Sequence, residues 1–473
     1  AFTVVGLPDE SVAESRERVR AALSAMGLAL PYDRITINLS PADLPKEGSH
    51  YDLPIALGLL VAMGVLPQDH VSDFYVMGEL GLDGACIGVP GALPAAMAAL
   101  EVGLGLICPE QCGPEAAWSG LAAPDKPGIL AAGHLLDVLN HLRGTQLLHP
   151  PQIDRQTRAA EHPDMADVRG QPQARLALEV AASGGHNLLM NGPPGAGKSM
   201  LAARLPGLLP ELQSRERLEV SVIESLSSPR GGIRLADQRP FRAPHHSASM
   251  AALIGGGRQA KPGEISLAHC GVLFLDELPE FSRQALDALR QPIETGRVEV
   301  ARAEAHVAYN ANFQLVAAMN PCRCGHADDP DLACHRLPLC RQEYLSKLSG
   351  PLFDRFDIRI DVPPVALSSM MADEKGEPSA AIVERVTRAQ KRQYERQDGL
   401  NVRLDGDRLR ELASPDAAGQ KLLDAIIEDG RMTARGFNRV LRVARTLADL
   451  QARETVGAAD IATALTWRGV SLS

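Results

Sequence analysis

The sequence predicts an α/β protein built on a parallel sheet with a phosphate-binding edge, and three stretches predict it. The first reads Gly192-Pro193-Pro194-Gly195-Ala196-Gly197-Lys198-Ser199, the G-x-x-x-x-G-K-S pattern of a P-loop. It follows a short apolar run, residues 186–190, and precedes residues 200–205, whose composition favours helix. The second is Gly271-Val272-Leu273-Phe274-Leu275-Asp276-Glu277, a strand apolar on both faces that ends in two carboxylates. The third is the apolar run 313–319, which ends at Asn320. Ligands of an open α/β sheet bind at the carboxyl ends of its strands, where these polar residues fall.

Residues 1–145 are expected to form a first α+β unit. Residues 4–8 read as a strand and turn, 11–26 as a helix closed by Gly27, and 34–39 alternate as a half-buried strand. Residues 55–65 are apolar but too short to span a bilayer, so they read as a buried helix. Strands are expected over 75–80 and 105–109, with a helix over 94–100 between them. Residues 146–164, which contain His149-Pro150-Pro151 and His162-Pro163, read as a linker. The phosphate-binding core is expected over 165–365, with a helix over 174–182 leading into the P-loop strand.

The loop's glycines let backbone N–H groups converge on phosphate oxygens with no Cβ in the way. The helix that follows adds partial positive charge beneath the anion. Lys198 is expected to reach the β- and γ-phosphates and Ser199 to ligate Mg2+. The nucleotide-binding set is therefore Gly192, Pro193, Pro194, Gly195, Ala196, Gly197, Lys198, Ser199 and Asp276. Asp276 is expected to hold Mg2+ through water, and Glu277 to polarise the attacking water as general base. Asn320 can orient that water against the γ-phosphate.

Asp276 follows Lys198 by 78 positions, far more than a strand–helix–strand unit needs. An insertion is expected, with residues 227–269 as the candidate because they are rich in Gly, Arg and His. Within it, His245 and His246 read as structural or loop-positioning residues, with a metal pair as the alternative. Against the metal pair, adjacent side chains diverge and no carboxylate is expected nearby. Residues 297–312 read as a β-hairpin. Cys322, Cys324, Cys334 and Cys340 then crowd together, with His326 and His335 among them. Four thiolates could make a tetrahedral Zn2+ staple, with reduced cysteines and no metal as the alternative.

Arg355, in Ser349-Gly350-Pro351-Leu352-Phe353-Asp354-Arg355-Phe356-Asp357, is a candidate arginine finger that would act on a neighbouring subunit's γ-phosphate. A surface ion pair is the alternative. The chain then turns helical over 380–397, 418–428, 433–452 and 458–467, which makes residues 380–473 a helical lid. Arg431, Arg435, Arg439, Arg442 and Arg445 have no carboxylate between them and gather on one side of a helix. Arg435 is expected as the lid's nucleotide sensor, and the others as a solvated or interface face.

At 473 residues, two or three domains are expected, and 45% hydrophobic with 22% charged residues is ordinary globular composition. A formal net charge of −10 argues against a surface coated for nucleic acid, but leaves room for a local basic strip inside a ring. Eight cysteines without disulfide-like spacing, together with a P-loop, point to a reducing cytoplasm. No secretory signal or membrane-spanning run is read. The sequence begins at Ala1 without Met, so an N-terminal piece is expected to precede it.

The full set of motifs resembles AAA+ proteins of the magnesium-chelatase type. The segments that carry the resemblance are Phe241-Arg242-Ala243-Pro244-His245-His246, Gly263-Glu264-Ile265-Ser266-Leu267-Ala268-His269, residues 272–279, Ala317-Ala318-Met319-Asn320-Pro321 and residues 349–356. Val5-Gly6-Leu7-Pro8, residues 42–49 and Gly78-Glu79-Leu80-Gly81-Leu82-Asp83-Gly84 resemble the Lon-protease-like domain that precedes some bacterial motors. Together they identify the chain as similar to the ComM/YifB family over nearly its whole length.

The resemblance implies an AAA+ P-loop core with a C-terminal helical lid, preceded by a Lon-protease-like α+β domain. It implies a homo-hexameric ring that hydrolyses ATP with Mg2+, with Arg355 acting in trans and Arg435 as lid sensor. By the same analogy, residues 227–269 and 297–312 line the channel. The function implied is branch migration on single-stranded and branched DNA during natural transformation. Arg258, Lys261 and Arg302 are then the candidate backbone contacts. The competing reading is a chelatase-type ATPase that drives metal insertion. A peptidase is disfavoured because residues 88–94, where the partner lysine should fall, contain none.

Overall fold

The front segment is organised by its apolar helices. The computed structural model describes residues 2–6, 10–41, 46, 48–121, 128–152, 162–228, 235–256, 260–301, 306–325, 336–365, 376–428 and 432–469. β1 (Phe2–Val5) and β2 (Ile35–Asn38) pair in parallel, with the helix Glu10–Ala25 connecting them. The expected buried helix forms over Asp52–Ala62, and its Leu53, Ala56, Leu57 and Leu60 join Val19, Ala22 and Leu23 in one core. Burying each such leucine stabilises by about 1.5–3 kcal/mol relative to exposure.

The strand expected over 75–80 is broken. β3 (Phe74–Val76) stops before Gly78, whose φ of +153° suits only glycine. β4 (Glu79–Leu80) turns away to pair antiparallel with β5 (Cys86–Ile87). β6 (Gly105–Pro109) then takes β3 on one side and β7 (Ile129–Ala132) on the other, both in parallel. Lys46 and Ser49 do not form a nucleophile–base pair. Ser49 Oγ donates to Glu79, and Lys46 Nζ donates to the Pro41 carbonyl.

The remaining strands are β8 (Leu188–Asn191), β9 (Phe241–Arg242), β10 (Gly255–Gly256), β11 (Lys261–Pro262), β12 (Val272–Leu275), β13 (Arg297–Ala301), β14 (His306–Asn310), β15 (Gln314–Met319) and β16 (Ile358–Asp361). Five of them make one parallel sheet in the order β16-β8-β15-β12-β9. Its three central strands, β8, β15 and β12, are mostly apolar because both faces are covered. Leu188, Met190, Val272, Phe274, Val316 and Ala318 face one core, and Leu189, Leu273, Leu275, Leu315 and Ala317 face the other. Alternate residues therefore serve opposite layers, as the pleat requires.

Two features of this sheet differ from the expectation. Phe241–Arg242, inside the stretch read as an insertion, is an edge strand of the sheet itself, paired with β12. Two residues are too few to show a periodicity. The strand β16 was not foreseen, and it closes the other edge against β8. The hairpin expected over 297–312 is present as β13 and β14.

The C-terminal part is helical: Ser379–Gln397, Gly406–Leu412, Ala417–Glu428, Ala434–Leu450 and Ala458–Thr466. Val440, Leu441, Ala444 and Leu447 share the core that covers the first face of the sheet. The arginine face is corrected here. Arg431 lies outside the described residues, and Arg435 is exposed. Arg439 pairs with the buried Asp357 at 2.5 Å. Arg442 donates to the Leu404 carbonyl at 2.6 Å, and Arg445 is 1% exposed and pairs with Asp449 at 3.0 Å. Three of these arginines thus turn inward: Arg439 and Arg442 onto acceptors from other segments, and Arg445 onto Asp449 of its own helix and the carbonyls of Arg453 and Glu454 beyond it.

Candidate nucleotide-binding site

The site is built on the carboxyl ends of β8, β15 and β12, adjacent in that order. The strand β15 lies between the other two, so Asn320 emerges between the P-loop and the acidic pair. After β8 the backbone makes the turns that only glycine tolerates, with Gly195 at φ +78° and Gly197 at +84°. A Cβ at Gly192 would run into the Val362 carbonyl oxygen. The short helix Lys198–Ala202 starts directly from the loop. Gln171 donates from Nε2 to the Ala196 carbonyl at 2.7 Å and braces the loop from behind.

Lys198 is 7% exposed and folds back over its own loop. Its Nζ donates to the carbonyls of Gly192 at 2.7 Å and Pro193 at 2.9 Å, and to Asn320 Oδ1 at 3.1 Å. Burial pushes its pKa down, against the opposing charges of Asp276 and Glu277. Ser199 Oγ donates to Asp276 Oδ2 at 2.6 Å. A hydroxyl and a carboxylate at this separation are an oxygen pair suited to a hard divalent cation. The N–H groups of Gly195, Gly197, Lys198 and Ser199 find no acceptor among the described residues. These convergent donors, with an ammonium and an oxygen pair beside them, fit a polyphosphate carrying Mg2+.

Glu277 has φ +51°, a left-handed conformation that is uncommon outside glycine. Its N–H donates to Asp276 Oδ1 at 2.9 Å, and its carboxylate is half exposed. His246 Nδ1 lies 3.4 Å from Glu277 Oε2. The expectation that no carboxylate sits near this pair is therefore corrected for His246. The partner comes from 31 residues down the chain, because β9 and β12 are neighbours in the sheet. His246 also meets the edge of Phe281 at 6.5 Å. Tyr344 was likewise missed. It is buried, its pKa is pushed up to about 12 by burial, and it accepts a hydrogen bond from the Asn320 backbone.

Arg355 is not at this edge. Its carbonyl accepts from Asn187 Nδ2 at 3.1 Å, at the amino end of β8, so β8 itself separates it from its own P-loop. A strand of that length spans about 13 Å. Arg355 is 7% exposed, it pairs with Glu294, and its Nη1 donates to the Pro351 carbonyl at 2.5 Å. Its Nε is buried without an acceptor among the described residues. Burial pushes its pKa down, and Arg290, Arg439 and Arg435 add like charge. Arg435 therefore gathers with Arg355, not with the P-loop lysine.

Of the three candidate DNA contacts, only Lys261 is described, half-buried on β11. Arg258 and Arg302 lie outside the described residues. Cys322 and Cys340 are buried and Cys324 is exposed, while Cys334, His326 and His335 lie outside the described residues. The sulfurs of Cys322 and Cys324 are 3.0 Å apart.

Three family models match the chain. "Subunit ChlI of Mg-chelatase" matches residues 1–112, "Magnesium chelatase, subunit ChlI" residues 164–370, and "Magnesium chelatase, subunit ChlI C-terminal" residues 376–468. The chain is 44% identical to the uncharacterized protein YifB of Escherichia coli K12, over 99% of the chain and 92% of that protein. It is 42% identical to the competence protein ComM of Haemophilus influenzae, again over 99% and 92%. A magnesium-chelatase 67 kDa subunit of Chlorobaculum tepidum is 30% identical over 32% of the chain and 21% of that subunit. No helix among the described residues is long and apolar enough to cross a membrane.

Proposed function

Because the chain belongs to the ComM family, whose members YifB and ComM it matches over 99% of its residues, we propose that it is a ring-forming ATPase that uses ATP hydrolysis to move along DNA. The magnesium-chelatase family supports the ATPase part. The observation that carries the reading is the convergence of Lys198, Ser199, Asp276, Glu277 and Asn320 at one sheet edge, while Arg355 sits at the other end of β8.

Each residue then has one task. Lys198 exchanges its two loop carbonyls for phosphate oxygens, and the loop N–H groups hold the remainder of the anion. Ser199 and Asp276 hold Mg2+, which supplies positive charge at the phosphate oxygens when bound. Glu277 accepts the proton of the attacking water, and Asn320 fixes that water's direction. Arg355, at the amino end of β8, and Arg435, whose charge acts on it, would serve the site of the adjacent subunit. The hairpins β10–β11 and β13–β14 are the elements that would face a channel, with Lys261 and, from the sequence, Arg258 and Arg302 touching phosphate. Their contacts are sequence-independent, as branch migration during transformation requires.

The second reading is a chelatase-type ATPase, favoured by the ChlI models along the chain. One assay separates the two. ATP turnover should rise at least about threefold with single-stranded or branched DNA and stay flat with porphyrin. The DNA-binding contribution should fall with salt, as phosphate contacts do. Stimulation by porphyrin and none by DNA would overturn the motor. Glu277→Gln should retain ATP binding and lose turnover by about a hundredfold or more. Normal turnover in that variant removes Glu277 as the base.

A further inference from the structure

We propose that Cys322, Cys324 and Cys340 bind a Zn2+ ion that fixes the end of β15 against the P-loop. Their three sulfurs lie within 4.8 Å of one another. Tetrahedral zinc with Zn–S bonds of about 2.3 Å places sulfurs about 3.8 Å apart. Cys322 and Cys324, at 3.0 Å, need to part by only about 0.8 Å to reach that spacing. They are too far apart for a disulfide, whose S–S bond is about 2.05 Å.

The backbone brings the three thiols together in two steps. The Gly325 N–H donates to the Cys322 carbonyl at 3.0 Å, and Gly325 has φ +87°, so Cys322 and Cys324 fold into one tight turn. Cys340 arrives from the first turn of the helix Leu339–Leu345. Two of the thiols are buried and Cys324 is exposed, which gives the ion a closed side and a way in. The donor set is all sulfur, which selects a soft-to-borderline metal over Mg2+. Three sulfurs leave one tetrahedral position for water or another residue of the chain.

The second candidate cluster, Glu219, His269 and Cys270, does not share this character. The Asn312 N–H donates to His269 Nδ1 at 3.0 Å, so the proton sits on Nε2, which faces Glu219 at 3.0 Å. No imidazole lone pair is left for a metal. Burial also pushes the Cys270 pKa up to about 12.

The location gives the zinc its consequence. Asn320 precedes Cys322 by two residues, and its N–H donates to Tyr344, one helical turn beyond Cys340. Gly325 packs so close to the P-loop that a Cβ there would lie 2.5 Å from Pro194 Cδ. One ion would therefore tie together a strand end, a helix and the phosphate loop.

The test is elemental analysis of the purified full-length chain, with X-ray absorption at the zinc edge. About one zinc per chain with three or four sulfur neighbours is expected. Cys322→Ser and Cys340→Ser should each lower the content below about 0.2 per chain, whereas Cys108→Ser should leave it unchanged. Wild-type protein below about 0.2 zinc, fewer than three sulfurs, or zinc indifferent to both cluster substitutions would overturn the site. The wild-type measurements hold even if a variant fails to fold. Lys198→Ala should keep its zinc, so failure of the nucleotide reading and failure of this one are told apart.

Discussion

Glu277 and His246 carry the most consequence per atom. A half-exposed carboxylate has many rotamers, and only a few aim it at a water beside the γ-phosphate. The left-handed backbone of Glu277 and the His246 ring 3.4 Å away narrow that choice. A close polar contact that restricts a catalytic carboxylate acts through orientation, where a small misplacement costs roughly tenfold or more in rate. His246→Ala should therefore lower the turnover number about tenfold with nucleotide affinity unchanged, read by steady-state ATPase and nucleotide titration. Equal turnover in the variant would remove His246 from the site.

At the same scale, His186 links stability to pH. It is fully buried, with Nε2 2.7 Å from Thr446 Oγ1, and burial pushes its pKa down to about 4, against Asp357 and with Arg442 and Arg439. A histidine depressed when folded binds its proton more readily when unfolded. Stability is then complete above the unfolded value near 6.5 and is lost as pH falls toward 4. Between pH 6.5 and 5 this group should cost about 2 kcal/mol. Urea unfolding across that window should show the loss, and His186→Gln should flatten it.

At the scale of the element, the helix Ala434–Leu450 shows why a periodic row of charge is an ambiguous sign. Its Arg445 donates to the carbonyls of Arg453 and Glu454 and pairs with Asp449, itself held by Arg396 at 2.7 Å and by Asn401 at 2.8 Å. Removing Arg445 leaves Asp449 its Arg396 and Asn401 partners but takes a buried donor from Asp449 and from the Arg453 and Glu454 carbonyls, and opens the space its long side chain fills. Arg445→Ala should destabilise the protein by about 3–5 kcal/mol in urea unfolding, where an exposed arginine would cost under about 0.5 kcal/mol. Arg435, in the first turn of the same helix, is exposed and should tolerate alanine without loss of stability. The helix thus has a buried, anchored end and an exposed end.

For the whole molecule, the decisive geometry is the separation of Arg355 from its own P-loop by the length of β8. In the isolated subunit Arg355 is tethered to Glu294, and its Nε finds no acceptor among the described residues. A ring would let that guanidinium exchange the carboxylate for a neighbour's phosphate. Arg355→Ala should keep nucleotide binding and assembly and lose at least about a hundredfold in turnover. Mixing it with Glu277→Gln subunits should restore part of the activity, because each supplies the group the other lacks at a shared interface. No recovery in mixed rings would place Arg355 in cis or outside catalysis.

How much was legible beforehand follows from where each signal lives. The P-loop, the Asp276–Glu277 strand end and the Asn320 strand end are written in contiguous residues, because a buried parallel strand and a glycine turn each impose local composition. The hairpin and the lid helices were legible for the same reason. What the sequence could not hold is adjacency between distant segments. That β15 threads between β8 and β12, that a two-residue β9 sets His246 beside Glu277, and that Arg439, Arg442 and Arg445 turn inward while Arg435 stays out are decided by which backbones pair and which faces meet. Chain order therefore determined the chemistry this protein carries. Only packing decided which of those groups share a site, because burial and hydrogen-bond partners are properties of neighbours in space.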